Sequence, residues 1–350
     1  VKIFKPAEFG CGVRIVTTGA YLPERVVSNA DLVAMGAPLD AEEMVRLSGI
    51  KFRRWVAENQ ATSDLAIAAG RQALACAGDL AVSLERLVVA TVSSDYSSPS
   101  TACLVHAGLG LPRLPVFDLT ASCAGFLYAL DAAARAVATG DRAVLAIAAD
   151  VRSRYLDVTD RATCALFGDG AGVALLAPAP PNQGLIAIGL SADGTGAHSI
   201  YVPAGGSREA ASPETVATRR HCIRMQDGPQ IYLSAVEGML LAARELLDSV
   251  SLTFKDIDWL IPHQANMHIL KRIAWKAGLP LEKVICNIET VGNISGATVA
   301  VAMDEALRAK RLKAGDRVLL LAAGAGYTAG AALYVVDEDL LANVGCGANI

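Results

Sequence analysis

The sequence predicts an α/β protein of stacked layers, built from two similar halves. Three observations carry this. The segment GDRAVLAIAAD from Gly140 has a counterpart, GDRVLLLAAG from Gly315, half a chain later. Around each copy, helical and strand-like stretches alternate in the same order, and such a repeat decides the fold before any single element does. Ala and Gly are abundant while aromatics make up only 5%. Small residues at that density suit close helix-to-sheet packing.

The elements follow in order. In the first half SDLAIAAGRQALACAG from Ser63 has amphipathic spacing, RLVVATVSS from Arg86 is a short apolar strand, and AGFLYALDAAARAVA from Ala124 is a helix rich in small residues. In the second half IYLSAVEGMLLAARELLDSV from Ile231, WLIPHQAN from Trp259 and ISGATVAVAMDEALRAK from Ile294 repeat the series. Helix–strand alternation predicts mostly parallel strands with crossover helices. The halves divide at Pro178, Pro180 and Pro181, giving residues 1–180 and 181–350. Residues 193–230, rich in Gly, Pro, Ser and charge, read as an inserted surface loop able to cover a pocket.

Composition narrows the function. With 350 residues, 53% hydrophobic and 19% charged, the chain can bury a large core. A net charge of −4 argues against disorder and against a nucleic-acid-binding face. Eight cysteines (11, 76, 103, 123, 164, 222, 286 and 346) form no C-x-x-C pair and no metal-ligand spacing. Scattered thiols of this kind suit a reducing, cytoplasmic setting. The N-terminal stretch carries charges through its apolar part and makes a poor signal peptide. Residues 318–336 hold no charge over 19 positions, close to membrane-span length. They read better as two buried strands joined by a Gly-rich turn at Gly324, Gly326 and Gly330.

Three polar residues stand at strand–helix junctions, where α/β folds place ligands. Cys123, in FDLTASCAGF, precedes the first-half helix. A helix N-terminus lowers a thiol pKa and favours a nucleophile; a buried structural cysteine is the ordinary alternative. Small neighbours Ala124 and Gly125 leave room beside the sulfur. His263, in WLIPHQAN, is placed to move a proton or to donate to a developing oxyanion, or else is a satisfied core histidine. Asn293, in VGNISGAT, occupies the helix start equivalent to that of Cys123, and a plain N-cap would explain it. GDGAG at 168–172 lacks the G-x-G-x-x-G spacing and reads as a tight structural turn.

Together these segments resemble the thiolase superfamily and, within it, the β-ketoacyl-acyl-carrier-protein synthase III family. GAYLPERVVSNADL, the Cys123 segment, DVTDR at 157–161, FGDGAG, PHQAN, GNISGA and GAGYTAG carry the resemblance over nearly the whole chain. It implies a thiolase fold, two pseudo-symmetric halves stacked as α-β-α-β-α layers, in a homodimer with continuous sheets. It implies a Claisen condensation of acyl thioesters through an acyl-Cys123 intermediate. The N–H groups of Cys123 and Ala325 would form the oxyanion hole, while His263 and Asn293 would hold the enolate. No cofactor is permanently bound; substrates arrive on phosphopantetheine thioesters.

Departures from the family pattern point to the substrate. Glu43 and Leu47 stand where a Trp and an Arg would clamp the adenine of coenzyme A. Arg154 matches a retained basic contact. His268 replaces a docking arginine, but Lys271, Arg272 and Lys276 follow, either as a patch for an acidic carrier protein or as a solvated helix face. Ala323 replaces an aromatic residue, and Ser98 a bulky one, so the substrate channel is expected to be wide. These changes predict a stand-alone ketosynthase of secondary metabolism joining carrier-bound chains, α-pyrone formation included. The alternatives are fatty-acid initiation from acyl-coenzyme A and malonyl carrier, and acyl transfer to a hydroxyl or amine. A head-to-head condenser would need a base near Ser98, where Asp95 is the only acid. An inert partner subunit would not need the intact Cys–His–Asn set.

Overall fold

The computed structural model describes residues 12–181 and 183–345. Cys11 and Cys346 lie outside the described residues, and the six cysteines within them are free thiols. The chain opens with β1 (Gly12–Tyr21), β2 (Arg25–Ser28), α1 (Asn29–Ala34), α2 (Ala41–Ser48) and β3 (Phe52–Trp55). Next come α3 (Thr62–Ala75), β4 (Arg86–Ala90), α4 (Thr101–Leu109), β5 (Val116–Leu119), α5 (Gly125–Ala138), β6 (Val144–Val151) and β7 (Asp169–Ala179). Then follow β8 (Gly184–Ala192), β9 (Ile200–Tyr201), α6 (Pro213–Ala217), β10 (Arg224–Met225), α7 (Gly228–Ser249) and β11 (Trp259–Pro262). The chain closes with α8 (Met267–Ala277), α9 (Ile288–Val291), α10 (Thr298–Arg308), β12 (Arg317–Gly324), β13 (Thr328–Val335) and α11 (Glu338–Ala342).

The large sheet runs β11-β12-β13-β8-β1-β7-β6-β4-β5. A single residue pair, Val13 with Gly184, links β1 to β8. It therefore divides into β5-β4-β6-β7-β1 and β8-β13-β12-β11. The repeated segments occupy matching places: β6 answers β12, β4 answers β11, and α5 answers α10. The counterpart of β5 is reduced to one bridge, Val284 with Leu260. The sheets are mixed rather than mostly parallel. β7 lies antiparallel to β6 and β1, and β13 antiparallel to β12 and β8. Each of those two turns back on its predecessor without a crossover helix, which parallel pairing would require.

Five layers result. α3 and α4 pack on the outer face of the first sheet, and α7 and α8 on that of the second. α5 and α10 are sandwiched between the sheets, where Phe126, Leu127, Leu130, Val301 and Met303 are buried together. Each such large side chain contributes about 1.5–3 kcal/mol of burial. Close approach explains the glycines of GDGAG, which form the start of β7 and not a tight turn. A methyl group at Gly172 would lie 2.4 Å from Ala300 Cβ on α10. The apolar run at 318–336 is the β12–β13 hairpin, with Gly330 inside β13. No helix of the described residues is long and apolar enough to cross a membrane.

Candidate active site

Each central helix begins with a 3-10 turn, Ser122–Ala124 before α5 and Ser295–Ala297 before α10. Both turns start on a serine in the left-handed region, Ser122 at φ 49° and Ser295 at φ 52°. The turns correspond residue by residue, so the counterpart of Cys123 is Gly296, and that of Asn293 is Thr120. The expected equivalence of Cys123 and Asn293 holds for the helix starts and is three residues out of step for the side chains. The turns touch: a methyl at Gly296 would lie 3.0 Å from Ser122 O and 3.5 Å from Gly125 Cα.

The β12–β13 hairpin closes over Cys123. A methyl at Gly324 would sit 2.6 Å from the Cys123 nitrogen. The Thr328 hydroxyl donates to Ala121 O at 2.9 Å, tying the hairpin to the turn that carries the thiol. Among the described residues the Ala325 N–H meets no acceptor. His263 follows β11 and is positioned by its own N–H on Leu321 O at 2.7 Å. Its Nδ1 lies 2.6 Å from Thr298 Oγ1. The Thr298 hydroxyl also reaches Ser295 O at 3.1 Å; when its one proton goes to Nδ1 instead, the ring proton sits on Nε2. Burial pulls the His263 pKa down to about 3, which keeps the ring neutral. Asn293 Oδ1 accepts from Ser295 N at 2.9 Å, so its NH2 group is the end free to donate. Asn293 is not the N-cap: that place falls to Ile294 for the 3-10 turn and to Ala297 for α10.

Cys123, His263, Asn293, Ala323 and Ala325 line one cavity of about 890 Å³. Ile200, Tyr201, Val202, Ile223 and Met225 roof it, so the 193–230 insert covers the pocket as expected. Arg219 binds Asp157, and Ile223 N donates to Tyr155 O, holding the insert down. Three residues were missed at the sequence level: Ser295, Thr298 and Arg152. Ser295 Oγ lies 3.9 Å from Cys123 Sγ, and Arg152 lines the cavity. The correspondence of Ser295 with Ser122 in the repeat was the available signal for the first.

Other expected residues fall elsewhere. Arg154 is exposed and ties down a loop, donating to Glu58 O at 2.6 Å and Gln60 O at 3.0 Å. Ser98 lies on an exposed loop and does not line its own chain's cavity. Asp95 accepts from Ser63 N and Oγ at 3.0 and 2.6 Å; it caps the start of α3 and does not line its own chain's cavity. Glu43 meets Arg161 at 2.5 Å and Arg46 at 3.6 Å, so its charge is compensated. Leu47 is exposed, and its carbonyl accepts from Asn266 Nδ2 at 3.0 Å. Lys271, Arg272 and Lys276 are exposed on α8, with the Arg272 guanidinium 4.5 Å from the Trp275 ring.

The thiol environment departs from expectation. Burial pushes Cys123 up to about 11, with the Ser295 hydroxyl and the Arg152 charge acting downward. The start of α5 acts downward too, but desolvation wins. At pH 7 the thiolate fraction is then about one part in ten thousand. Alkylation of Cys123 by iodoacetamide is expected to accelerate about tenfold per pH unit from 7 to 10, measured by intact mass against Cys123→Ala. A plateau near pH 8 would show that the helix start outweighs burial.

Residues 117–194 and 247–336 match the family descriptions 3-oxoacyl-[acyl-carrier-protein] synthase III and its C-terminal part. The β-ketoacyl-[acyl-carrier-protein] synthase III of Caldanaerobacter subterraneus is 44% identical over 315 residues, covering 90% of this chain and 95% of that protein. The chain belongs to the β-ketoacyl-[acyl-carrier-protein] synthase III family. It is accordingly an acyltransferase of the ketosynthase type that forms carbon–carbon bonds. The crystal structure of the Aquifex aeolicus 3-oxoacyl-[acyl-carrier-protein] synthase III superposes with TM-score 0.84 at 34% identity, covering 93% of this chain and all of that one. The priming β-ketosynthase of the R1128 polyketide pathway superposes with TM-score 0.83 at 31% identity, covering 93% and 96%. The thiolase-type layering is that of the synthase III structures.

Proposed function

We propose that this synthase III condenses an acyl thioester with a malonyl thioester on acyl carrier protein. The observation that carries it is the convergence of Cys123, His263 and Asn293 on one cavity. Cys123 sulfur attacks the donor carbonyl; the C–S bond to the donor breaks, and the departing thiol leaves with the cysteine proton. The N–H groups of Cys123 and Ala325 hold the oxyanion of that step. The malonyl C–C bond then breaks, carbon dioxide leaves, and the electron pair forms an enolate. His263 Nε2–H and the Asn293 NH2 hold its oxygen. The enolate carbon attacks the acyl carbonyl, the bond to Cys123 breaks, and a β-ketoacyl thioester is released.

The relatives favour this initiation-type reaction over the expected joining of two carrier-bound chains in secondary metabolism. The Glu43–Arg161 pair supports the same shift, because it removes the unpaired negative charge that argued against coenzyme A. The wide cavity beside Ala323 supports a donor bulkier than acetyl. The exposed α8 cations suit the acidic carrier, and two copies paired through the open edge of β5 form the working dimer. Acyl thioesters on coenzyme A and on carrier protein, mixed with wild type and Cys123→Ala, test the reading by intact mass. A Cys123-dependent adduct that becomes β-keto product on adding malonyl carrier is expected. An adduct that yields only an ester or amide would overturn it.

A further inference from the structure

Arg152 is the only cation on the cavity wall among the described residues. It is 8% exposed, and its charge is offset by the through-space attraction of buried Asp150 and by two aromatic faces, without a direct ion pair. Its guanidinium lies 5.5 Å from the Tyr155 ring and 5.7 Å from the Phe167 ring. Its one hydrogen bond runs from Nη1 to Val92 O at 3.5 Å, a weak contact. The buried Nε has no partner, and Nη2 donates to no protein atom among the described residues.

The nearby carboxylates are engaged elsewhere. Asp150 accepts from the N–H groups of Val92 and Gly296 and from the hydroxyls of Thr91 and Ser93. Asp169 accepts from the N–H groups of Val56, Arg152 and Ser153 and from the Ser153 hydroxyl. Neither makes an ion pair with the Arg152 guanidinium. A buried cation without a direct ion pair is costly, and a methyl-ended acyl chain would gain nothing from one. Nε is sealed from solvent, whereas Nη2 is neither sealed nor partnered among the described residues, and a guanidinium nitrogen of this kind binds a carboxylate through a charge-assisted hydrogen bond.

We propose that Arg152 receives a terminal carboxylate on the acyl group, so that the enzyme takes ω-carboxyacyl thioesters. This rests on Cys123 being the acyl acceptor. The carboxylate belongs to the first substrate: that of malonyl must leave as carbon dioxide, and a cation pairing with it would hold it in place. In the transfer the donor C–S bond breaks, the bond to Cys123 forms, the cysteine proton leaves with the thiol, and the distal carboxylate is unchanged.

The experiment is Cys123 acylation without malonyl, followed by intact mass. Succinyl, glutaryl and adipyl thioesters are each compared with the methyl-ended chain of equal length, on coenzyme A and on carrier protein. Wild type is expected to favour at least one ω-carboxy donor by tenfold or more. Arg152→Leu should reverse that ratio, and Arg152→Lys should keep part of it. If Arg152 only lowers the Cys123 thiol, Arg152→Leu slows both donors by one factor and the proposal falls. Preference for the methyl-ended chain at every length in wild type alone also overturns it, whether or not the variants fold. Acylation by methyl-ended chains that go on to β-keto product would leave the ketosynthase reading standing while this one fails. No acylation of Cys123 by any donor would overturn both.

Discussion

His263→Ala and Asn293→Ala are each expected to lower condensation about 10²–10³-fold, equivalent to about 2.7–4 kcal/mol, while acylation of Cys123 continues. The split follows from the geometry. The thiol stands on the turn before α5, and its proposed oxyanion donors are backbone N–H groups that neither substitution removes. The two side-chain donors come from the other half, after β11 and before α10. Single-turnover intact mass gives acylation, and β-keto product formed with malonyl carrier gives condensation. Loss of acylation to the same degree as condensation would show that His263 also activates the thiol. Because the ring is neutral, with its pKa near 3, protonation of His263 should not produce an acid limb in the condensation rate between pH 5 and 7.

Gly324→Val is expected to abolish acylation in a chain that still folds. The added Cβ alone would lie 2.6 Å from the Cys123 nitrogen, 3.1 Å from the Ala124 nitrogen and 2.9 Å from Thr328 Oγ1. Two of these are backbone atoms of the nucleophile turn, which cannot swing aside as a flexible side chain can. The hairpin must lift or the thiol must move, and a displacement of 1 Å costs about 10² in rate. Circular dichroism confirms folding, and intact mass reads the adduct. Normal acylation in Gly324→Val would mean that the hairpin does not set the position of Cys123.

The repeat made the layered architecture legible, because GDRAVLAIAAD and GDRVLLLAAG announce matching strands and each follows a helix of small residues. Strand direction was not legible. β7 and β13 are buried on both faces, and an apolar run carries no sign of which way its neighbour points. The three chemical residues were legible from their junctions and from the family resemblance. Their register was not, since Cys123 aligns with Gly296 only once the two 3-10 turns are seen. The arginines of VRSRY show a further limit. Arg154 carried the matched pattern yet caps loop carbonyls, while Arg152, two residues nearer the strand end, turns into the cavity. Burial made the remaining difference: a helix start argues for a reactive thiol, but desolvation of Cys123 depends on packing that no local pattern encodes.

The shortened second sheet has a consequence for how copies associate. Its outer strand, β11, is sealed: Ile285 N donates to Leu260 O at 2.9 Å, Val284 bridges Leu260, and Pro262 has no N–H to offer. Among the described residues the first sheet ends on β5 with no strand beside it. The chain therefore has one adhesive border and one blunt one. In the dimer proposed above, two copies meeting border to border by a twofold axis would use up both sites at once, so that assembly would be self-limiting and would not grow into a fibre through its strands. The one-bridge counterpart of β5 is, in this sense, what would make such pairing terminate at two.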